Sequence, residues 1–171
     1  YDPHQTLEGT IISCFAVHAK LAFIYIRGEF GWLVDRVQAA VDEAYAAGYL
    51  GRDILGSGFD FTIEVHKGAG AFVCGESTAL MTALEGRVGE PRPKYIRSNV
   101  SGLWGRPSVL NNVETWANVP LIINKGADWF KSMGTEKSTG SKIFCVSGHV
   151  NKPGNYELPM GVSLRELLYE H

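Results

Sequence analysis

Hydrophobic and polar positions recur along the chain with periods that predict alternating helices and strands. Asp2 and Pro3 predict the start of a helix, because an acidic cap and a first-turn proline favour one, and apolar residues follow at helical spacing. The continuous apolar run 21–26 predicts a strand that is buried on both faces. Residues 32–47 return to helical periodicity, and Gly48 is suited to end that helix.

The same alternation continues in the next third of the chain. Residues 59–66 predict a second strand, and residues 77–84 predict a third helix behind a glycine-rich loop. The order helix, strand, helix, strand, helix implies right-handed crossovers and a parallel sheet. We therefore expect an α/β domain over residues 1–133.

The C-terminal part of the chain predicts a different arrangement. Residues 112–123 and 128–133 are predicted to be helices, and a polar stretch of linker character follows them. Beyond it the pattern predicts a strand, a turn, a second strand and a helix, at 143–150, 151–154, 156–158 and 163–168. This order begins an α+β unit, which we place at residues 141–171.

A long loop with three prolines and four glycines separates the third and fourth helices, at residues 86–110. Long loops inside compact domains are usually functional or disordered. Tyr95, Leu103 and Trp104 argue against disorder, because such side chains tend to anchor a loop. Four basic residues are suited to phosphates or a partner subunit, or else lie in solvent as lone surface charges: Arg92, Lys94, Arg97 and Arg106.

Length and composition place the chain among ordinary globular proteins. Its 171 residues can hold one domain, or one and part of another, and 45% are hydrophobic and 20% charged. The formal charge of −2 gives no reason to expect nucleic acid or an anionic membrane surface as a partner. No apolar run approaches the roughly 18 residues of a membrane helix. The chain begins at Tyr1 without methionine and stops at His171 just after a helix pattern, so we expect a piece of a longer protein.

The cysteines and histidines suggest no metal site. The three cysteines lie far apart without a C-x-x-C pair, and the five histidines are scattered as well. The apolar surroundings of Cys14 and Cys145 suit buried free thiols in a reducing compartment, so we expect a cytoplasmic protein. Cys74 would need a nearby base to act as a nucleophile, and the sequence specifies none.

The glycine-rich loop between the second strand and the third helix nearly fits two phosphate-binding motifs and fails both. Gly68 and Gly70 begin a dinucleotide-type G-x-G, but Val73 replaces the third glycine. Gly70 and Gly75 have P-loop spacing, but Glu76 replaces the lysine, and a carboxylate there would repel phosphate. An NTPase is therefore disfavoured, and a cofactor-type loop that bears an acid remains.

Two predicted helix starts carry polar side chains that suit either capping or ligand binding. Glu76 and Ser77 either cap the third helix or line a cofactor pocket. Asn111, Asn112 and Thr115 place amide and hydroxyl groups at the start of the fourth helix, where anionic or polar ligand groups are favoured. One of the two asparagines would equally well serve as the cap of that helix.

Five separated motifs together resemble one known family. They are G-A-G-A-F-V-C-G-E at 68–76, L-E-G at 84–86, P-R at 91–92, S-G-L-W-G at 101–105 and N-N-V-E-T at 111–115. Together with the opening at 2–29, they make the chain resemble, over essentially its whole length, the FMN- and NADH-binding flavoprotein subunit (51-kDa type) of respiratory complex I. Soluble NAD(P)-linked hydrogenases and formate dehydrogenases contain the same subunit.

The resemblance implies a fold, cofactors and partners. It implies a Rossmann-like flavin-binding domain followed by the start of a β-grasp domain of the soluble-ligand-binding type. It implies an NAD(P)H-linked flavin oxidoreductase subunit in which hydride passes between NAD(P)H and FMN, and single electrons leave through iron–sulfur clusters. The family's [4Fe–4S] ligands lie beyond His171, so no metal ligand is assigned. The implied partners are iron–sulfur subunits, including a 24-kDa-type [2Fe–2S] subunit, with no nucleic acid and no direct membrane insertion.

The resemblance also implies which residues would hold the flavin. Gly75 and Glu76 correspond to groups beside the flavin ring. Asn111, Asn112 and Thr115 correspond to contacts with FMN, through its ribityl and phosphate oxygens. No side chain is implied as a catalytic acid or base, because the cofactor carries the chemistry while the protein orients it.

Three positions lie on the implied nicotinamide side, and two of them depart from the family pattern. Phe72 matches the family's usual tyrosine, an aromatic that stacks near the nicotinamide. Ser77 replaces a second acid, which would favour a ribose 2′-hydroxyl and repel a 2′-phosphate. Arg97 falls where the family's phenylalanine stacks on adenine, and arginine can both stack and meet phosphate. We therefore predict that NADP(H) is used at least as well as NAD(H), which favours a hydrogenase or formate dehydrogenase over complex I.

Other functions remain open on the sequence alone. The alternatives are the flavoprotein subunit of complex I proper, and a non-catalytic fragment that docks partner subunits through the β-grasp unit and holds no flavin. An isolated Rossmann-type dehydrogenase is disfavoured, because the third glycine is missing.

Overall fold

The computed structural model of the protein describes residues 2–93 and 95–171. Within these residues the helices and strands are α1 Pro3–Ala16, β1 Leu21–Ile26, α2 Gly31–Ala46, β2 Thr62–Lys67, α3 Ser77–Leu84, α4 Val113–Lys125, α5 Ala127–Lys131, β3 Ser141–Val146, β4 Gly154–Pro159 and α6 Leu164–Tyr169. They form two compact units, one ending at Pro120 and one from Leu121 to His171, so the boundary falls inside α4.

The first unit is built on a parallel pair of strands. β1 and β2 run side by side in register from Leu21 opposite Thr62 to Ile26 opposite Lys67. Both strands therefore end at the same side of the sheet, which we call the carboxyl edge. The prediction of an α/β fold with parallel strands is confirmed, and β1 has the bounds that its apolar run predicts.

The two faces of this sheet are covered by different parts of the chain. Alternate strand residues face the helical layer, and Ala22, Ile24, Ile63 and Val65 belong to it or pack against it. The buried core of that layer consists of Leu7, Ala40, Val41, Ala44, Leu50, Ile54, Phe61 and Ile63. The opposite face carries Tyr25 stacked on His66, with ring centroids 5.2 Å apart, and Phe23 edge-on to Trp104 at 5.8 Å. Chain that follows β2 therefore covers the second face.

Three expectations about burial are wrong. β1 is not buried on both faces: Leu21 is 43% exposed and most of the strand residues after it are half-buried, because the described sheet contains only one neighbour for β1. Tyr95 does not anchor the long loop, since its side chain is 83% exposed. Cys145 is exposed because its side chain alternates outward along β3, whereas Cys74 is buried.

The second unit contains a short hairpin and three helical segments. β3 and β4 pair antiparallel from Ser141 opposite Pro159 to Val146 opposite Gly154. Ser163 caps α6, because its hydroxyl accepts a hydrogen bond from the Glu166 N–H at 3.1 Å. The polar stretch before β3 folds into a hydrogen-bonded turn. The domain boundaries 1–133 and 141–171 stay a prediction.

None of the helices in the described ranges combines the length and the hydrophobicity that crossing a bilayer requires.

Candidate functional site

The carboxyl edge gathers the glycine-rich loop and the turn that follows β1. These two segments touch: a Cβ on Gly28 would lie 2.6 Å from the Gly68 carbonyl oxygen and 2.9 Å from the Gly70 nitrogen. No side chain fits between them, so glycine at position 28 is a packing requirement. Parallel α/β sheets bind ligands outside the carboxyl ends of their strands, so a binding site is expected at this edge.

The start of α1 lies at the same edge. α1 precedes β1 through the short connection 17–20 and packs along the strand. Its 14 residues span about 21 Å, close to the roughly 20 Å of the six-residue strand. Its first turn, which Asp2 caps by accepting the Gln5 N–H at 3.2 Å, is therefore level with the strand ends.

The start of α4 is held beside the start of α1. A Cβ on Gly9 would lie 1.8 Å from the Trp116 carbonyl oxygen, so α1 and α4 approach as closely as glycine permits. That carbonyl has no helical donor four residues on, because residue 120 is a proline. The Gln5 side chain donates to the Ala117 carbonyl at 2.7 Å and fixes the pairing.

An open cavity of about 460 Å³ marks where these segments meet. It is lined by Asp2, Pro3, Thr6, Leu7, Ile24, Trp32, Leu33, Arg36, Val37 and Val113. Val113 is the first residue of α4 and directly follows the two asparagines. The fold thus brings the Asn-Asn segment beside the first turn of α1 and the cavity that this turn lines.

Within the glycine-rich loop, glycine is required at two positions and not at a third. A Cβ on Gly68 would lie 2.6 Å from the Tyr25 hydroxyl oxygen, and Gly70 has a φ of +90°. Gly75 has neither constraint, since a Cβ there would meet nothing within 4 Å and its φ is not positive. Nothing in the described chain explains a glycine at 75, whereas close approach of a ligand would.

Glu76 caps α3. Its carboxylate oxygen Oε2 accepts hydrogen bonds from the Thr78 N–H at 2.8 Å, the Ala79 N–H at 2.9 Å and the Thr78 hydroxyl at 2.5 Å. Oε1 accepts from the Ser77 hydroxyl at 3.3 Å. The capping interpretation of Glu76 is confirmed, and a negative charge at a helix N-terminus is also favoured by the helix dipole. Its place beside a flavin stays a prediction.

Four polar side chains tie the long loop to α3: Thr78, Thr82, Glu85 and Arg92. We call them the Arg92 network, and the sequence did not predict that they interact. The Arg92 N–H donates to the Thr78 hydroxyl at 2.8 Å, and Nε donates to the Thr82 hydroxyl at 3.0 Å. Nη1 donates to the Gly102 carbonyl at 3.2 Å, and Nη2 pairs with Glu85 Oε2 at 2.6 Å. The only sequence signal was the proximity of L-E-G and P-R along the chain.

Glu85 is the acidic centre of that network. Its side chain is only 6% exposed, and it also pairs with Arg87 and accepts the Trp104 N–H at 2.8 Å. The hydrogen bond from Arg92, helped by those from Arg87 and Trp104, lowers the pKa of Glu85 from 4.5 to about 2. A carboxylate held this way stays ionised at any physiological pH.

The Arg92 network borders a second cavity, of about 290 Å³, between α3 and the long loop. Its lining is Thr78, Met81, Arg92, Pro93, Tyr95, Ile96, Ser98 and Ser101. Ser77 and Arg97, two predicted residues of the nucleotide site, are sequence neighbours of residues that line this cavity. They do not line it themselves. Ser77 is half-buried and Arg97 is exposed. Lys94 lies outside the described residues.

The remaining predicted site residues lie on the surface. Asn111, Asn112 and Thr115 are exposed, and Asn112 Oδ1 accepts the Glu114 N–H at a long 3.3 Å. Phe72 is 87% exposed. These side chains are accessible to a ligand, and their roles stay predictions.

Cys74 lies in a position that does not suit a nucleophile. It is 7% exposed, and a Cβ on Gly89 would lie 2.6 Å from its sulfur. Burial of Tyr25, together with the hydrogen bond between Tyr25 and Cys74, raises the pKa of Tyr25 to about 12. This neighbour of Cys74 therefore stays protonated and does not act as a base.

Within residues 2–93 and 95–171, no group of three or more His, Cys, Asp or Glu side chains is arranged to hold a metal ion.

Two family models match the chain. The Nuo51 FMN-binding domain matches residues 1–121, and the SLBB domain matches residues 143–171. The F subunit of the NADH-quinone oxidoreductase of Streptomyces coelicolor is 54% identical over 167 residues, covering 98% of this chain and 37% of the relative. The protein of the same name in Mycobacterium tuberculosis is 56% identical over 166 residues, covering 97% and 37%.

A solved structure also has the same fold. The NAD⁺-reducing [NiFe]-hydrogenase in its H₂-reduced state superposes with a TM-score of 0.86 at 39% identity, covering 98% of this chain and 28% of that one. The chain thus spans well under half the length of the relatives that it matches.

Proposed function

The chain belongs to the Nuo51 FMN-binding domain family, and on that premise we propose that it is part of an electron-entry flavoprotein subunit. The complete subunit would exchange hydride between NAD(P)H and FMN and pass electrons to iron–sulfur clusters. The observation that carries the proposal is Gly75, a glycine that faces open space at the carboxyl edge beside the α3 cap.

The residues present fit an FMN at this edge. Gly75 leaves room for a planar ring against the loop, because no described atom of the chain occupies the space a Cβ would take. Asn111, Asn112 and Thr115 present amide and hydroxyl groups at the start of α4, where the helix dipole favours a phosphate. Glu76, held by its cap hydrogen bonds, would keep the glycine-rich loop rigid for binding the flavin. When bound, FMN supplies the change from a hydride to single electrons.

The nicotinamide nucleotide would be selected by residues around the start of α3 and the long loop. Ser77 carries no charge that would repel a 2′-phosphate, and Arg97 is exposed and carries a charge that would attract one. Phe72 would stack near the nicotinamide. We therefore expect NADP(H) to be used at least as well as NAD(H).

The subunit would work inside a multisubunit complex, with iron–sulfur partners that include a 24-kDa-type [2Fe–2S] subunit and with a cytoplasmic location. The likeness to an NAD⁺-reducing hydrogenase supports a soluble hydrogenase or formate dehydrogenase. The relatives named as NADH-quinone oxidoreductase subunits support the alternative, the complex I subunit.

The test is a Gly75→Ala variant of the full-length subunit in its complex. We expect normal assembly but loss of the visible flavin absorbance. The added methyl group contacts no described atom of the chain but would occupy space that the flavin needs. A variant with full flavin content would contradict the proposal, and an assembled wild-type complex without flavin would favour the docking fragment.

Nucleotide preference has its own test. Steady-state oxidation of NADPH and NADH by the wild-type complex should give similar kcat/KM values, and Ser77→Glu should lower the value for NADPH selectively. A strong wild-type preference for NADH, or a Ser77→Glu variant with unchanged NADPH affinity, would contradict the expectation.

A further inference from the structure

The Arg92 network joins the two walls of the 290 Å³ cavity. Thr78 and Met81 form the wall on α3, while Pro93, Tyr95, Ile96, Ser98 and Ser101 form the wall on the long loop. Arg92 lies between them, bonded to two α3 hydroxyls and to the Gly102 carbonyl on the far side of the loop. Arg92 is therefore the residue of this cavity that bonds to both walls, while the Trp104 N–H bond to Glu85 and the Thr82 hydroxyl bond to the Glu90 carbonyl also hold the loop to α3.

The network also reaches the α3 cap. The Thr78 hydroxyl donates to the Glu76 carboxylate and accepts from the Arg92 N–H, so one hydroxyl connects the cap with the loop. Thr82 donates to the Thr78 carbonyl while it accepts from Arg92 Nε. Movement of the loop away from α3 would break these bonds together.

Separation of the two walls would also break the ion pair between Arg92 and Glu85. The Glu85 side chain is 6% exposed and the Arg92 side chain is 30% exposed, and breaking a partly buried pair of this kind is costly because the charges are poorly solvated. Arg87 also pairs with Glu85, but its side chain is 68% exposed and it bridges no wall of the cavity. The two arginines therefore offer a matched comparison around a single carboxylate.

We propose that Arg92 and Glu85 are positioning residues that hold the long loop at a fixed distance from α3 and thereby set the affinity for the nicotinamide nucleotide. This inference rests on the proposed function, because the nucleotide residues Ser77 and Arg97 adjoin the two walls in sequence. Neither Arg92 nor Glu85 needs to touch the reacting atoms. Their effect reaches the nucleotide through the position of the loop.

The experiment uses the full-length subunit in its assembled complex, with Glu85→Gln and Thr82→Val as test variants and Arg87→Gln as control. Glu85→Gln keeps the shape and removes the charge, and Thr82→Val removes one acceptor of Arg92 with little change in volume. Flavin content, KM for each nucleotide and kcat with an artificial electron acceptor are measured.

We expect KM for the preferred nucleotide to rise about tenfold in Glu85→Gln, the size expected for the loss of one partly buried ion pair. Flavin content should stay stoichiometric and kcat should change less than about twofold, because a displaced loop weakens nucleotide binding equally in the ground state and the transition state. Thr82→Val should shift KM in the same direction by a smaller factor. Arg87→Gln should leave both constants unchanged.

A role confined to stability would give a different pattern. Equal losses of flavin and kcat with unchanged KM would overturn the inference, as would equal KM values in Glu85→Gln and Arg87→Gln. If Glu85→Gln does not assemble, Thr82→Val and Arg92→Lys decide, since Arg92→Lys keeps the charge but cannot reach all three partners of the arginine side chain. If this inference fails but the wild-type complex holds FMN and oxidises NAD(P)H, the proposed function still stands. A wild-type complex without flavin would overturn both the inference and the proposed function.

Discussion

The starts of α3 and α4 both carry polar groups that the family resemblance assigns to the flavin, but they use these groups differently. At α3 the Glu76 carboxylate accepts bonds from two backbone N–H groups and two hydroxyls, and the Arg92 network reinforces it. At α4 the Asn112 side chain accepts one long bond of 3.3 Å, and Asn111 and Thr115 are exposed. The α3 side is built by the chain itself, whereas the α4 side keeps its polar groups accessible to a ligand.

This difference gives each side a different dependence on ligand. Polar groups that are already bonded contribute to the stability of the chain, and their removal should be felt with or without cofactor. Accessible amides contribute little until something binds them. Variants on the two sides should therefore separate stability from binding.

The largest effect should come from the contact that positions the α4 side. Gly9→Ala would place a methyl group 1.8 Å from the Trp116 carbonyl oxygen, so α1 and α4 must move apart. We expect the free energy of unfolding of the full-length subunit to fall by about 3 kcal/mol, at the upper end for overpacking. Denaturant unfolding measures it, and Gly75→Ala is the control because its methyl group meets nothing. Equal stability of the two variants would contradict the close contact.

The next effect compares the two helix starts directly. Glu76→Ala removes the cap of α3 and should cost about 1 kcal/mol of unfolding free energy, whereas Asn112→Ala should cost less than about 0.5 kcal/mol. Chemical denaturation of flavin-free protein checks both values. A larger loss for Asn112→Ala would show that the α4 side is also built by the chain itself.

The third prediction concerns pH and separates the Arg92 network from ordinary carboxylates. Because the pKa of Glu85 is lowered from 4.5 to about 2, its ionised form stabilises the fold fully above pH 4.5. That contribution shrinks as the pH falls below 4.5 and is lost by pH of about 2. The stability difference between wild type and Glu85→Gln, measured by denaturation at several pH values, should follow this course. A difference that does not vary between about pH 5 and about pH 2 would contradict it.

The smallest effect on stability should come from Phe72. Its side chain is 87% exposed, so Phe72→Ala should change the free energy of unfolding by less than about 0.5 kcal/mol. The KM of the Phe72→Ala variant for the nicotinamide nucleotide should nevertheless rise if the Phe72 ring stacks near the nicotinamide. Thermal unfolding and steady-state kinetics on the same preparation check the two statements, and an unchanged KM would remove Phe72 from the site.

Sequence periodicity predicted the local elements well where the signal is short-range. β1 and α3 have the predicted bounds, and Asp2 and Ser163 cap their helices as expected. The predicted strand 143–150 lies too late, because β3 pairs with β4 only as far as Val146 and the following residues form the connection. Pairing ends a strand, and pairing depends on a partner that the local pattern does not contain.

The sequence by itself determined the order of helices and strands, the acid that caps α3 and the motifs that carry the family resemblance, because each depends on residues within a few positions of one another. Only the tertiary structure decided which glycines are required by packing, since Gly68 meets Tyr25 across the sheet edge while Gly75 meets nothing. It also decided that Arg92 is a largely desolvated connector rather than a solvated charge. The physical reason is that close contact and desolvation depend on what lies opposite a residue in space.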